Sequence, residues 1–387
     1  MPDWNIITGE YPPDPGGVSD YTRQVARELA RCGDRVNIWT PRSAFNGSVI
    51  EDGVEVNYLP DRFGAASIAL LNERFAAPRK NDVILVQYVP QAFGWKGVNL
   101  PFGIWLGKQR QHELWIMFHE VCFPIARRQS PTHNLLGMGT QLMARFAMRG
   151  VARAFVSTTA WEPNLKFGAH NGIRPQWLPI PGNIDVIRDD DKVSELRGRF
   201  AKGRSHVIGH FGTYGRWIAD QLTSTVPALI KESDDRVAIL LGRGGPELRS
   251  RLVRQSPDIA DRIFAPGELC SEDVSLHLSA CDLLIQPFVD GVTTRRTSVM
   301  AGLAHGRPVI TTAGPLTESL WSTSRPVSLV DVNDQAEMLN RARHLLADDK
   351  ERLRLSIAGS ELYDRLFDIR HTIAVLRGLE NEHTIAA

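Results

Sequence analysis

The chain has 387 residues, 43% of them hydrophobic and 23% charged, with a net charge of +1. That length suggests two domains, and the composition is that of an ordinary globular protein, not of a disordered or fibrous one. A net charge so near zero excludes nucleic-acid binding through the field of the whole molecule.

In chain order, the opening MPDWNIITGEYPP lacks the basic-then-apolar layout of a secretory leader. No segment approaches the roughly 18 apolar residues that a membrane-spanning helix needs. Four scattered cysteines, Cys32, Cys122, Cys270 and Cys281, include no C-x-x-C pair. This disfavours a zinc site or redox dithiol and suits a reducing cytoplasm. Strands are expected at NIITG, RVNIWT, VEVNYL, DVILVQYV, LWIMFH, RAFVST and QWLPI, then at HVIGHFG, VAILLG, RIFAPG, DLLIQPF, RPVITT and PVSLV. Helical patterns fall at 19–32, 133–149, 217–232, 246–255, 272–280 and 335–347. This βαβα alternation predicts an α/β protein with mostly parallel sheets covered on both faces. It occurs twice. The polar stretch 183–205 between the halves reads as an interdomain crossing, and Asp189, Asp190 and Asp191 within it read as solvated. Two doubly wound, Rossmann-like domains are therefore expected to face a cleft at the carboxyl ends of their strands.

Five stretches could carry chemistry. GEYPPDPGGVSDY, residues 9–21, is a long loop after the first strand, with Ser19 or Asp20 expected to cap the helix that follows. Gly16 and Gly17 let backbone approach a ligand at a helix N-terminus, although a plain βα turn is the competing reading. LWIMFHE places His119 and Glu120 at the end of a buried strand. There the histidine either bonds substrate and moves protons or is a structural hydrogen bonder. HVIGHFGTYGR turns through Gly212, Thr213 and Gly215 to Arg216, a phosphate cradle or a surface arginine. LLGRGGPEL sets Arg243 among glycines, suiting a nucleotide or only a tight turn. In VDGVTTRRTSVMAGLAHG, Arg295 and Arg296 are expected in the first turn of a helix. There they oppose the dipole by about 0.3–1 kcal/mol each unless an anion is bound. A diphosphate fits the guanidinium forks. The alternative pairs one arginine with Asp290 or Glu318 and leaves the other in solvent. Separately, residues 101–170 carry eight basic residues (Lys108, Arg110, Arg127, Arg128, Arg145, Arg149, Arg153, Lys166) against three acidic ones (Glu113, Glu120, Glu162). This is either a solvated face or one that meets an anionic membrane or a lipid-linked substrate.

Taken together, these stretches resemble GT-B fold glycosyltransferases of the retaining family 4 (group 1) type, over nearly the whole length. PPDPGGVSDYTRQVARELARCGDRVNIWT is similar to that family's glycine loop, first helix and second strand. FHE resembles its strand-end F-H-D/E, and LPIPGNID its P-x-G-x-D entry to the crossing. ELCSEDVSLHLSACDLLIQPF is similar to the lead-in to the donor motif. AGLAHGRPVITTAGPLTESL resembles E-A-M-A-x-G-x-P-V-I followed by a glycine turn and Glu, and FDIRHTIAVLRGLE the closing helix. The family's two glutamates fall at Thr293 and Ala301, and both are missing. Its diphosphate-holding Arg and Lys fall near Thr213 and Ile218, neither basic.

The resemblance implies an acceptor-binding domain over residues 1–190, with a helix of about 370–387 packing back on it, and a nucleotide-sugar domain over 191–369. It implies a retaining, metal-independent, hexosyltransferase-type enzyme that moves a sugar from a UDP- or GDP-linked donor to an acceptor hydroxyl. Surface polysaccharide or glycolipid assembly is the expected setting. His119, Asp290 and Arg296 are its expected catalytic residues. Donor contacts fall at Gly16, Gly17, Gly212, Thr213, Arg216, Arg243, Gly291, Val292, Thr293, Thr294, Arg295 and Ser298, and acceptor contacts at Tyr11, Ser19 and Glu120. No cofactor, metal or nucleic acid is expected. The partners are the nucleotide sugar, a saccharide or lipid-linked saccharide, and an anionic membrane surface. The location is cytoplasmic, peripheral at the inner face of the membrane, where Phe102, Ile104, Trp105 and Leu106 beside Lys108 and Arg110 are candidate contacts, core burial being the competing and favoured reading of each. A nucleotide-sugar epimerase, a phosphorylase-like protein and a non-catalytic binding module are the alternatives, the last favoured by the lost glutamates.

Overall fold

A computed structural model describes residues 2–41, 47–127, 129–165 and 172–379. The chain divides into two compact units. One runs to Pro179 and resumes at Ile369, and the other spans Ile180–Asp368. Arg128, Lys166 and residues 380–387, on which some of the expectations fall, lie outside the described residues.

In the first unit the strands are β1 (Asp3–Thr8), β2 (Arg35–Pro41), β3 (Gly47–Glu51), β4 (Val54–Leu59), β5 (Asp82–Tyr88), β6 (Glu113–Phe118), β7 (Arg153–Val156) and β8 (Gln176–Trp177). They form one sheet in the order β3-β4-β2-β1-β5-β6-β7-β8, parallel except for β3. Central strands such as DVILVQY are buried along almost their whole length, as expected when helices cover both faces. Helices α1 (Gly17–Arg31), α2 (Ala65–Arg74), α3 (Leu100–Gly107), α4 (Pro131–Ala147), the short α5 (Glu162–Leu165) and, from the far end of the chain, a closing helix at Ile369–Leu376 complete the unit. α1 buries Tyr21, Val25, Ala26 and Leu29 on one stripe. α3 lies almost backbone to backbone on α4, because a Cβ at Gly107 would come within 2.4 Å of the Phe146 carbonyl oxygen. The closing helix is tied by Arg377, whose Nε lies 3.1 Å from the buried carboxylate of Asp34. Trp4 Nε1 donates to the same carboxylate at 3.2 Å.

The second unit holds β9 (His206–Phe211), β10 (Arg236–Leu241), β11 (Ile263–Gly267), β12 (Leu283–Gln286), β13 (Val309–Ala313) and β14 (Ser328–Asp331), all parallel, in the order β11-β10-β9-β12-β13-β14. That is a doubly wound sheet whose strand order reverses between β9 and β12. Its helices are α6 (Asp190–Ala201), α7 (Arg216–Lys231), α8 (Gly245–Gln255), α9 (Ser271–Ser279), α10 (Thr297–Ala304), α11 (Ser319–Thr323), α12 (Gln335–Ala347) and α13 (Asp349–Leu362), with α14 (Ile369–Leu376) being the closing helix of the first unit.

Several elements differ from expectation. The division falls after Pro179, not after residue 190. The intervening segment is bonded into the second unit by Ile180 N–H to Thr294 O (3.0 Å), Gly182 N–H to Tyr363 Oη (3.3 Å) and Ile187 N–H to Ser275 Oγ (2.8 Å). The polar crossing contains α6, and Asp189 caps it by accepting from Lys192 N at 3.0 Å. Asp190 and Asp191 occupy its first turn, where the dipole favours anions. This helix has little apolar periodicity because only Phe200 and Ala201 are buried. β3 was not expected because every one of its residues is exposed. Its signal is Asp52-Gly53, both at positive φ, which closes a hairpin onto β4. α1 begins at Gly17, so neither Ser19 nor Asp20 caps it, and Gly16 is the cap residue.

Candidate active site

In the second unit, the carboxyl ends of β9 and β12 flank the point of strand reversal, where open α/β sheets bind ligands. His210, on β9, is fully enclosed, and its Nδ1 donates to Ile285 O on β12 at 2.8 Å, joining the two strands. Burial pushes this imidazole below its usual range and keeps it neutral. Beyond it the chain turns at Gly212 (φ 141°). A Cβ there would sit 3.6 Å from Ser298 Oγ, so the Gly212 turn faces the first turn of α10. Thr213 and Arg216 are exposed beside it. Ile218, where the resemblance expects a cation, packs against the apolar core.

The loop from β12 to α10 carries the arginine pair. Its backbone is held from within: Gly291 N–H bonds Phe288 O (3.1 Å), Val292 N–H bonds Thr312 O (2.7 Å), and Leu316 N–H bonds Asp290 O (3.0 Å). Thr294 is bonded through both its amide (3.1 Å) and its hydroxyl (2.7 Å) to the carboxylate of Glu318. That carboxylate also accepts from buried Trp321 Nε1 at 2.9 Å. Gly291 (φ 86°) cannot be replaced without collision, since a Cβ would lie 2.3 Å from Gly314 N. The amides of Gly291, Val292 and Thr294, residues expected among the donor contacts, are engaged in shaping the loop. Thr293 is wholly buried with them.

Arg295 and Arg296 lie immediately before α10 and not inside its first turn, Arg296 being the cap residue. Both guanidinium groups converge on Asp290. Arg295 Nη2 is 3.0 Å from Oδ2, and Arg296 Nη2 bonds Oδ1. Arg296 also lies over the Phe288 ring at 4.5 Å. The two guanidinium forks thus meet at a helix N-terminus, a setting that suits a phosphate oxyanion. Arg243 is exposed and pairs with Glu268 at 3.8 Å. Ala301, standing where the resemblance expects a glutamate, is buried against Gly182, where a Cβ would lie 3.3 Å from Ala301 N.

In the first unit, strand order reverses between β2 and β5 at β1. His119 ends β6 with its side chain buried. Its Nε2 lies 2.8 Å from Gln87 Oε1, so Nε2 carries the proton and donates it. Its carbonyl accepts from Trp161 Nε1 (2.9 Å) and Ser157 Oγ (3.2 Å), and its N–H bonds Tyr88 O (3.0 Å). Tyr21 meets the ring edge to face at 5.0 Å. The glycine loop carries a carboxyl that sequence reasoning missed: Glu10, above whose Oε2 a Cβ at Gly16 would stand at 2.2 Å. Burial, then the nearby charges of Asp14 and Glu120, push this carboxyl up from its ordinary range. Glu120 accepts from Gln91 Nε2 at 2.8 Å. Of the expected acceptor contacts, Ser19 is fully buried with its hydroxyl bonded to Asp14 O at 2.7 Å. Tyr11 is buried too, its phenol pushed up to about 12 by burial first. Gly17 stays open to solvent.

Gln87, accepting from Nε2, fixes the tautomer of His119. Replacing Gln87 by Leu leaves the buried Nε2–H without an acceptor, which should cost about 1–3 kcal/mol of stability, read as a lower melting temperature, and should lower kcat about tenfold. Gln87→Glu puts an anion on the Nε2 proton, raises the imidazole pKa, and should move the acid limb of the pH–rate profile to higher pH. An unshifted limb would mean that His119 does not titrate in the reaction.

Among the described residues no group of three or more His, Cys, Asp or Glu side chains could hold a metal ion. No helix among them is long and apolar enough to cross a membrane.

No curated protein matches the sequence. Among solved structures the chain is similar to sucrose-phosphate synthase from Thermosynechococcus elongatus, at TM-score 0.71 and 17% identity over 98% of both chains. It is also similar to Anabaena Alr3699/HepE in complex with UDP and glucose, at 0.69 and 17% over 98% of this chain and 99% of that one. WaaG, a glycosyltransferase involved in lipopolysaccharide biosynthesis, matches at 0.67 and 16% over 97% and 100%. At such identities these likenesses establish the fold, GT-B. Residues 205–348, inside the second unit and including Gly212, Asp290, Arg295, Arg296 and Glu318, match the family described as Glycosyl transferases group 1. The doubly wound second unit, the cation pair at its point of strand reversal and the matched segment agree: the protein has the GT-B fold, and its second unit carries a domain that matches the group 1 glycosyltransferases.

Proposed function

We propose that the enzyme transfers a sugar from a nucleoside-diphosphate sugar to an acceptor hydroxyl, retaining the anomeric configuration and using no bound metal. The second unit binds the donor and the first unit the acceptor. The observation that carries this reading is the convergence of Arg295 and Arg296 on Asp290 beside the Gly212 turn. Sugar departure leaves charge on a diphosphate, and guanidinium forks at a helix N-terminus stabilise that charge as it develops. This is the service a divalent ion performs elsewhere. Asp290 holds both forks in place and exchanges with the diphosphate oxygens when the donor binds. Ser298, facing the Gly212 turn, takes over ribose recognition, since Ala301 has no carboxylate to offer. In the first unit His119 bonds a substrate hydroxyl, and Glu10 and Glu120 accept from acceptor hydroxyls.

The solved relatives favour a UDP-linked donor, since HepE was crystallised with UDP and with UDP-glucose. WaaG's role in lipopolysaccharide biosynthesis favours a glycolipid or surface-polysaccharide acceptor, met at the cytoplasmic face of a membrane. A thermal-shift series with UDP, GDP, ADP and their sugars tests the donor, because a ligand of the native state raises the melting temperature. Turnover in EDTA and the anomeric configuration of the product, read by NMR, test the mechanism. Loss of activity in EDTA, an inverted product, or a product formed without any acceptor would overturn it.

A further inference from the structure

We infer that the outer face of α4, with the Trp95 loop beside it, docks the first unit onto an anionic lipid bilayer. This deepens the reading above by naming the surface that would bring the enzyme to a lipid-linked acceptor. Of the candidate contacts named from sequence, Phe102, Trp105 and Leu106 are core residues, as the competing reading had it, and Ile104 is exposed.

The α4 segment Pro131–Ala144 contains no charged residue. A solvent-facing helix side is normally polar, yet here Leu135 (68% exposed), Met138 (60%) and Leu142 (40%) form a stripe at helical spacing. Ile125, in the loop before α4, and Ile104, on the neighbouring α3, are exposed as well. The loops are seated on the helix where glycine allows. A Cβ at Gly137 would lie 2.7 Å from Ile125 Cγ1, one at Gly139 2.7 Å from Val98 Cγ1, and one at Gly97 2.7 Å from the Phe123 ring. These contacts place the Trp95 loop, the Ile125 loop and the α4 stripe in one locality.

The Trp95 loop is a second and independent observation. Gly94, Trp95, Lys96 and Gly97 follow one another at φ values of 80°, 50°, 55° and 91°. Non-glycine residues persist in that region only when their surroundings hold them there. The result is an indole 60% exposed, with an exposed ammonium beside it. Tryptophan prefers the headgroup level of a bilayer.

Charge selects the occupant. Lys96, Lys108, Arg110, Arg127 and Arg149 are exposed around the stripe. Residues 121–152 contain no Asp or Glu. An apolar stripe ringed by cations suits anionic headgroups over acyl chains, whereas a second copy of the same face would bring like charges together.

The test is flotation of the full-length enzyme with vesicles of phosphatidylcholine alone and with phosphatidylglycerol added. The wild type should float with the anionic vesicles, less so with neutral ones, and release as salt rises. Leu135→Ser, Met138→Ser and Leu142→Ser combined should cut partitioning about tenfold or more, while the melting temperature and transfer to a soluble acceptor stay unchanged. Absence of vesicle binding, equal binding by the triple variant, or a dimer that the triple variant abolishes without any lipid binding would each overturn the inference. None of these outcomes touches the donor chemistry, which is read separately from nucleotide binding and EDTA resistance.

Discussion

Arg295→Ala combined with Arg296→Ala should weaken nucleoside-diphosphate binding by about a hundredfold or more in isothermal titration calorimetry. Each guanidinium supplies charge-assisted bonds worth about 1.5–3 kcal/mol, and 1.4 kcal/mol is a factor of ten. The two losses will not add cleanly, because both arginines share Asp290. Removing both also leaves the Asp290 carboxylate facing the phosphates without a counter-ion. Lysine at both positions keeps the charge but loses the planar fork, so about tenfold of the loss should remain. The loop itself should survive, since Glu318, Thr312 and Phe288 hold its backbone and not the arginine side chains. Unchanged affinity in a folded double variant would remove the arginines from donor binding and, with them, the electrostatic part of the mechanism.

A second large effect is expected at Glu318. Glu318→Ala takes the acceptor from three donors at once: the Thr294 amide, the Thr294 hydroxyl and the indole N–H of fully buried Trp321. A buried donor without a partner costs about 1–3 kcal/mol. Partial relaxation leaves a net destabilisation of about 3 kcal/mol, or roughly 10 °C in melting temperature for a unit of this size. Donor affinity should fall as well, because Thr294 directly precedes Arg295. Glu318→Gln retains one acceptor oxygen and should recover part of both losses. Differential scanning calorimetry reads the first effect and titration with UDP or GDP the second. An alanine variant that melts like the wild type would show that this carboxylate does not hold the loop.

The strands were legible because they are buried on both faces. A run such as DVILVQY has few alternatives as a strand in an α/β chain, while its pairing with β1 and β6 is read from the structure alone. His119 could be placed for the same reason, since it directly follows the apolar run of β6. α6 and β3 were not legible, because exposed elements leave no hydrophobic period to read. Gln87 and Glu10 were passed over for a different reason. A polar residue near a strand end announces nothing until its neighbour across the sheet or loop is known, and those neighbours, His119 and Gly16, are 32 and six positions away in the chain.

Local order along the chain settled the doubly wound pattern, the glycine turns after β1 and β9, the strand-end histidine and the nearness of Arg295 and Arg296 to a helix start. These depend on periodicity and on the backbone demands of a few residue types, which act over one turn of chain. Only the folded structure decided which groups those residues answer to. Both arginines share Asp290, Glu318 reaches back 24 residues to Thr294, and the loop amides face inward. It also decided which apolar residues are core. Phe102 and Trp105 are buried while Leu135 and Met138 are bare, although all four are of one chemical kind. Burial depends on which side of α3 meets α4, and that is set by the close approach at Gly103 and Gly107, a contact between segments that sequence spacing does not encode.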